Sequence, residues 1–194
     1  MIEESLILSL IERGWYGCES FLDQNHCQKL VSELQNRPLR ASKIGKGSSE
    51  QNIPSIRNDS IFWLSATHNS QAQSEYLQKM DSLMSLINKE LFLGLKQFEG
   101  HFARYDKGGF YKKHLDQFVG NNERLISVIT YLNGPIEGGE LRIYSRDNPN
   151  QVEIDLSPRP GSLVCFLSSQ IYHAVLPTMS ERLSIAGWLR TTIL

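Results

Sequence analysis

Cysteine is scarce in this sequence, and its spacing excludes two kinds of site. The three cysteines, Cys18, Cys27 and Cys165, are odd in number and form no Cys-x-x-Cys pair. A disulfide framework needs paired cysteines, and a thiolate metal site needs closely spaced ones. We therefore expect buried or incidental thiols with no role in binding a metal.

Long apolar runs and an excess of one charge sign are missing as well. The apolar stretch from Leu6 to Ile11 is short and follows Glu3 and Glu4 instead of a basic segment, which is typical of neither a signal peptide nor a membrane span. The 20 Lys and Arg against 21 Asp and Glu give a net charge of −1, which provides no electrostatic footprint for nucleic acid or an anionic membrane. We expect a cytoplasmic monomer with neither kind of partner.

The sequence does contain enough apolar residues for one domain spanning residues 1–194, since 40% of the 194 residues are hydrophobic. Residues 1 to about 94 have mainly helical patterns. Apolar side chains recur at helical spacing from about Gln71 to Leu91, and two shorter stripes precede them, the second after Asp23 as a plausible N-cap. Residues 42–55 sustain no period and predict a mobile loop, which is either a solvated connection or a lid beside a pocket.

The second half, from about residue 97 to 193, is typical of short strands. Segments of strand length alternate with turn signals such as Gly108-Gly109 and Gly138-Gly139. This pattern predicts an antiparallel sandwich, closed as a double-stranded β-helix, or jelly roll, around a cavity. The fold class is therefore α+β, with the β-helix in the C-terminal half buttressed by the N-terminal helices.

Strand parity predicts which side chains enter that cavity. His173 shares a face with Ile171 and Val175, so we expect it to point inward. In the last strand the inward face is predicted to carry four residues: Arg182, Ser184, Ala186 and Trp188. An inward arginine requires an anion, because an unpaired buried guanidinium costs several kcal/mol.

Three residues have the types and spacing of a non-haem iron site. His114 and Asp116 can lie on the same side of an extended segment, and His173 supplies a third donor. Two imidazoles and one carboxylate occupy one face of Fe(II) and leave the opposite positions open for a chelating co-substrate and dioxygen. A lone His-x-Asp arises often by chance, and a lone inward histidine is usually a core residue, but together with Arg182 they point to an oxygenase. The other histidines are expected to be surface or structural residues: His26, His68 and His101.

Most of the second half resembles a known family. The stretches 105–116, 128–133, 138–143 and 173–188 are similar to 2-oxoglutarate and Fe(II)-dependent oxygenases, and within them to the hypoxia-type prolyl hydroxylases. The resemblance implies a metal triad of His114, Asp116 and His173, with O2 as oxidant, 2-oxoglutarate converted to succinate and CO2, and ascorbate as reductant. These residues are accordingly the expected catalytic centre.

The same resemblance assigns the co-substrate residues. Arg182 falls where the family binds the far carboxylate of 2-oxoglutarate, and a planar guanidinium matches a carboxylate in a bidentate fork. Procollagen-type enzymes have lysine there, so Arg182 favours the hypoxia-type branch. Tyr131 and Tyr105 fall on tyrosines that line the co-substrate pocket, and Tyr131 is expected to contact the same carboxylate.

The substrate side is assigned more loosely. Arg57 and Asp59 resemble the segment that follows the family's substrate-covering loop, although such residues are as often plain solvated charges, and Trp188 is expected to pack the pocket wall. Compact bacterial members similar to this chain hydroxylate a proline in elongation factor Tu, so the resemblance implies a protein substrate of that kind, with a role in oxygen sensing or translation control. Alternatives are an oxygenase acting on another side chain, a small molecule or a nucleobase, and a non-catalytic metal or ligand sensor.

Overall fold

The computed structural model describes residues 2–45, 50–65, 69–117, 123–135 and 137–193. Within these ranges the chain forms three helices, α1 (Ile2–Glu12), α2 (Gln24–Leu34) and α3 (Gln71–Leu91). The eleven strands in the same ranges are β1 (Trp15–Cys18), β2 (Arg40–Ala41), β3 (Ser60–Trp63), β4 (Gln97–Tyr105), β5 (Tyr111–His114), β6 (Arg124–Tyr131), β7 (Leu141–Tyr144), β8 (Val152–Leu156), β9 (Leu163–Leu167), β10 (His173–Val175) and β11 (Arg182–Arg190). Across the described ranges, no helix combines the length and apolar character that a membrane span requires.

The strands form two antiparallel sheets. The larger sheet has the order β1-β9-β6-β11-β4-β3-β2, and the smaller has the order β5-β10-β7-β8. Side chains of both sheets meet in one apolar cluster, in which Tyr105 and Tyr131 of the larger sheet join Leu141 and Ile143 of the smaller. The two sheets therefore pack face to face, as the sandwich pattern predicted.

A second core lies between the helices and the outer face of the larger sheet. Tyr76, Met80 and Ile87 follow one stripe of α3, are fully buried, and belong to the same cluster as Leu183 and Ile185 of β11. Helix α2 begins at the predicted cap, since Asp23 Oδ1 accepts the backbone N–H of His26 at 2.8 Å. The predictions of α3 and of this cap are confirmed.

Alternation along β11 separates the two cores. Leu183, Ile185 and Leu189 belong to the cluster beneath the helices. The residues between them border a pocket between the sheets: Arg182, Ser184, Ala186 and Trp188. The predicted inward face of the last strand is therefore confirmed.

The first half contributes strands that its sequence pattern did not predict. β1 pairs with β9, and β3 pairs with β4, so both extend the larger sheet. Each has only four residues, and β2 has two, which is too short for a recognisable period. Their pairing partners lie far along the chain, and it is this tertiary pairing that makes them strands.

The predicted loop at 42–55 is described only in part, because residues 46–49 lie outside the described ranges. On either side of that gap, Ile44 and Gln51 form an antiparallel bridge with two backbone hydrogen bonds of 2.8 Å. Ser42 is buried and donates its hydroxyl to Asp59. The described parts of the segment are therefore hydrogen-bonded to each other and to the start of β3.

Candidate metal centre

The three predicted metal ligands come together in the pocket between the sheets. His114 ends β5 and lies directly opposite His173 of β10 in the smaller sheet, while Asp116 follows β5. One donor atom from each residue lies within 4.8 Å of the other two. Nε2 of His114 is 3.4 Å from Oδ1 of Asp116, and Nε2 of His173 is 3.7 Å from Oδ2. The chain thus gathers two imidazoles and a carboxylate around one point, a donor set that suits Fe(II).

Hydrogen bonds orient both imidazoles. Nδ1 of His114 lies 2.7 Å from the carbonyl oxygen of Lys112, and Nδ1 of His173 lies 3.1 Å from that of Ile171. A carbonyl only accepts, so each Nδ1 carries the proton and each Nε2 keeps a lone pair directed at Asp116. This tautomer is the one that a metal at Nε2 requires.

Asp116 is held by a chain of hydroxyls. Ser127 of β6 donates to Oδ2 of Asp116 at 2.7 Å, and Ser168 lies 2.8 Å from the Ser127 hydroxyl. Burial would raise the pKa of Asp116, but the neighbouring histidines and the Ser127 hydrogen bond lower it well below the usual range. Burial is the main cause that lowers the pKa of His173 to about 4, and the nearby His114 is the second. At neutral pH the site therefore presents an ionised carboxylate beside a neutral His173 imidazole, as metal binding requires.

Arg182 lies buried in the same pocket, and no carboxylate of the described residues pairs with it. It is 1% exposed and lies near the rings of Tyr105 and Tyr131, with its Cζ 5.0 Å and 4.9 Å from their centroids. Nη1 donates a long hydrogen bond of 3.4 Å to Ser184 Oγ. Among the described residues, Nε and Nη2 of Arg182 and the hydroxyl of Tyr131 have no hydrogen-bond partner. These buried donors fit an incoming carboxylate, which can accept from a guanidinium and a hydroxyl together.

Arg57 and Asp59 form a buried ion pair at the pocket wall, not two solvated charges. The Arg57 Nε and Nη2 donate to the two carboxylate oxygens of Asp59 at 2.7 Å and 2.6 Å, and Ser42 Oγ donates to Oδ1 at 2.6 Å. Burial would raise the pKa of Asp59, but the pairing with Arg57, followed by the Ser42 hydrogen bond, lowers this pKa below its usual value. Burial would lower the pKa of Arg57, but the pairing with Asp59 raises that pKa. Asp59 lines the pocket and accepts three hydrogen bonds from residues of the same chain, so its charge is compensated there.

One of the histidines expected to be surface or structural residues lies in the wall of the pocket. His101 of β4 is 4% exposed, lines the pocket, and lies beside Trp188 with ring centroids 5.7 Å apart. Parity with Tyr105 on the same strand was the signal that could have placed it there. His26 is structural as expected, since its Nε2 bonds to the Ala72 carbonyl oxygen at 2.8 Å, and His68 lies outside the described residues.

Comparison with known proteins agrees with this geometry. The family model of the 2OG-Fe(II) oxygenase superfamily matches residues 100–190. The structure of a Pseudomonas putida prolyl-4-hydroxylase is 36% identical, covers all of both chains and superposes with a TM-score of 0.86. A hypoxia-inducible factor prolyl hydroxylase of Caenorhabditis elegans is 28% identical over 96% of this chain. A Trichoplax adhaerens prolyl hydroxylase, solved in complex with a hypoxia-inducible factor peptide, covers 97% of this chain and 89% of its own at 24% identity and a TM-score of 0.82, which supports the fold.

The two-sheet fold and the His-x-Asp and His donor set define a jelly-roll protein with a non-haem iron site. The chain belongs to the 2-oxoglutarate and Fe(II)-dependent oxygenase superfamily, and its similarities are to prolyl hydroxylases. The predicted fold class and family are therefore confirmed, and membership implies Fe(II), 2-oxoglutarate and O2. The chain spans 28% of the length of the nematode relative, and less than half the length of the two PKHD-type hydroxylases that it also matches.

Proposed function

We propose that this protein is a prolyl hydroxylase that acts on a protein substrate, with elongation factor Tu as the candidate. The observation that carries the proposal is the buried Arg182, which has unpartnered donors in the same pocket as the triad. An arginine there matches the hypoxia-type branch, as the sequence predicted. The similarity to prolyl hydroxylases over the whole chain supports the same choice.

Each residue of the site has a distinct task in this proposal. When bound, Fe(II) and 2-oxoglutarate supply the oxidising chemistry: one atom of O2 enters a C–H bond of the substrate, the other enters succinate, and CO2 is released. Nε2 of His114, Nε2 of His173 and the carboxylate of Asp116 would hold the metal. Arg182 and the hydroxyl of Tyr131 bind and orient the distal carboxylate of the co-substrate, and Tyr105 packs beside the guanidinium.

The pocket walls keep the site dry. Ile129 and Val175 line the pocket and are almost completely buried. A water-poor site strengthens the interaction of Arg182 with a carboxylate, because the local dielectric is low. Ascorbate as reductant, a cytoplasmic location and a monomeric state remain predictions.

The decisive experiment supplies the purified protein with Fe(II), 2-oxoglutarate, oxygen-18 gas and elongation factor Tu of the same cell. We expect one labelled oxygen atom on a prolyl residue, located by intact-mass and peptide mass spectrometry, and equimolar succinate. The His114→Ala protein is the control and should give neither product. Succinate with an unmodified factor would retain the oxygenase and reject this substrate, whereas no 2-oxoglutarate consumption at all would favour a non-catalytic binding protein.

A further inference from the structure

Unpartnered buried polar atoms occur at two separate ends of the pocket. Arg182 and Tyr131 mark one end, where the co-substrate is proposed to bind. At the other end, the part of the chain that the structure describes offers no hydrogen-bond partner to Nδ1 of His101 or Nε1 of Trp188. Neither atom is used by the metal or by the co-substrate carboxylate. Buried polar groups rarely lack partners, so this second end offers two polar atoms to a ligand or an ordered water.

Strand register fixes the position of this second end. Arg182 is paired with Tyr105, whereas His101 lies four residues earlier on β4, opposite Ala186. At about 3.3 Å per residue, the two ends are ~13 Å apart along the sheet. His101 also faces Trp63 of β3 across the ladder, with ring centroids 4.8 Å apart, and Trp63 is 46% exposed. A partly exposed tryptophan therefore lies directly beside this second end.

The chemistry of this end selects a neutral ligand. Burial, and then the charge of Arg57, lowers the pKa of His101 to about 4, so its imidazole is neutral at physiological pH. The indole N–H of Trp188 can only donate. Nearby cations are already paired: Arg124, whose Cζ is 3.5 Å from the Trp188 centroid, contacts Glu99 at 3.2 Å, and Arg57 is bound to Asp59.

One donor and one neutral imidazole nitrogen between aromatic rings match the amide groups of a peptide main chain. We propose that His101 is a substrate-binding residue which, together with Trp188, forms hydrogen bonds to main-chain amides of the peptide that carries the target residue. The inference deepens the proposed prolyl hydroxylase function and rests on it. It assigns Trp188 a polar contact in addition to its place in the wall.

The test compares two substitutions that separate hydrogen bonding from shape. His101→Asn keeps a polar atom near the position of Nδ1, whereas His101→Phe keeps an aromatic ring beside Trp63 and Trp188 but removes both nitrogens. Protein loaded with Mn(II) and 2-oxoglutarate is titrated with a capped alanyl-prolyl-glycine peptide, and binding is followed by calorimetry. The nitrogen-15 shift of His101 is recorded on protein loaded with diamagnetic Zn(II), because paramagnetic Mn(II) would broaden resonances in the same pocket. His26→Asn is the matched control, because His26 is a buried histidine outside the pocket.

We expect His101→Phe to weaken peptide binding about fivefold to tenfold, as the loss of one buried hydrogen bond predicts. His101→Asn should bind within about twofold of the parent, and the peptide should shift the Nδ1 resonance in the parent protein. Dissociation constants for Mn(II) and 2-oxoglutarate, together with the circular dichroism of each variant, show that the fold is intact. A purely structural role would give the opposite order, with phenylalanine tolerated better than asparagine.

Failure of this inference is distinguishable from failure of the proposed function. Equal peptide affinity of the parent and His101→Phe, an equal loss in both variants, or no peptide binding by the parent would each overturn the assignment of His101. Peptide binding that depends on His101 without any oxygen incorporation under Fe(II) and O2 would support the subsite and reject the hydroxylase proposal.

Discussion

The ring of Tyr111 is stacked on the ring of His114, with centroids 3.5 Å apart and planes inclined by 17°. Arg57 lies over Tyr111, with Cζ 4.4 Å from the ring centroid, and is itself fixed by Asp59. A metal ligand in the smaller sheet is thereby braced by an ion pair that precedes β3 of the larger sheet. We therefore predict that Arg57 and Asp59 position His114, in addition to the entrance role that the sequence suggested.

Removal of the Arg57 side chain is expected to be strongly destabilising. Asp59 has a fully buried side chain, so Arg57→Met would leave an uncompensated charge and cost about 3–5 kcal/mol of unfolding free energy. Arg142→Met is the control, because Arg142 and Asp155 form a similar two-bond pair, 2.8 Å and 2.7 Å, with side chains 32% and 35% exposed. That pair should contribute less than about 1 kcal/mol. Denaturant unfolding measures both, and equal losses would contradict the buried-pair interpretation.

Loss of the Ser127 hydroxyl is expected to weaken metal binding without disturbing the fold. Ser127→Ala removes the hydrogen bond that orients Asp116, and partners of metal ligands typically contribute about 10–100-fold in affinity. Ser168→Ala, one hydrogen bond further from the metal ligand, should have a smaller effect. Competition of Mn(II) against a chelator gives the dissociation constants. Ser32→Ala on the exposed face of α2 is the control, and a Ser127→Ala protein that matches it would refute the role of this hydroxyl.

The fold and the metal triad could be predicted because their signals are local and periodic. Helix α3 repeats its apolar stripe over 21 residues, and β11 alternates over nine. His114 and Asp116 are two residues apart, so their common side follows from strand geometry. The residues that support them are not local in this sense. Ser127 of β6 contacts Asp116, and Ser168, in the turn after β9, contacts Ser127. Such contacts depend on sheet order, which periodicity does not encode.

His101 was missed for a different reason. A single histidine in an apolar strand has the same pattern whether it is a core residue or lines a pocket. Parity with Tyr105 gives the inward face of β4, but the ring contact with Trp63 belongs to β3, a strand too short to be recognised from its pattern. Arg57 and Asp59 were found through resemblance, but their burial follows from the same unpredicted pairing of β3 with β4.

The free energy of unfolding of the metal-free protein should decrease as the pH is lowered from 6.5 to about 4. The pKa of His101 is lowered from 6.5 to about 4, mainly by burial, so the unfolded chain binds more protons than the folded one in this window. Stability therefore rises with pH across the window and is lost as pH falls through it. At about 1.4 kcal/mol per unit, this shift contributes on the order of 3 kcal/mol.

His101→Asn removes this titration and should reduce the decline in unfolding free energy over the same range. It should not abolish the decline, because the pKa of His173 is also lowered to about 4. Urea unfolding at several pH values, with a chelator present, measures the difference. If the unfolding free energies of the parent and His101→Asn change in parallel with pH, the pKa of His101 is the same in the folded and unfolded protein.

Arg182→Lys is expected to weaken 2-oxoglutarate binding while metal binding stays within about twofold of the parent. The guanidinium is planar and offers two parallel donors to a carboxylate, whereas an ammonium group acts as a point charge on a flexible stem and is more strongly hydrated. In a pocket where Arg182 is 1% exposed and lies near two tyrosine rings, a lysine would lose both the fork and the ring contacts. Loss of one charge-assisted hydrogen bond corresponds to about 10–100-fold in affinity.

Calorimetric titration of the Mn(II)-loaded protein with 2-oxoglutarate measures the change in affinity. Tyr131→Phe is expected to show a smaller loss, since it removes one neutral donor. Equal 2-oxoglutarate affinity in the parent and Arg182→Lys would mean that the co-substrate carboxylate is bound elsewhere, and the buried guanidinium would then need another anion.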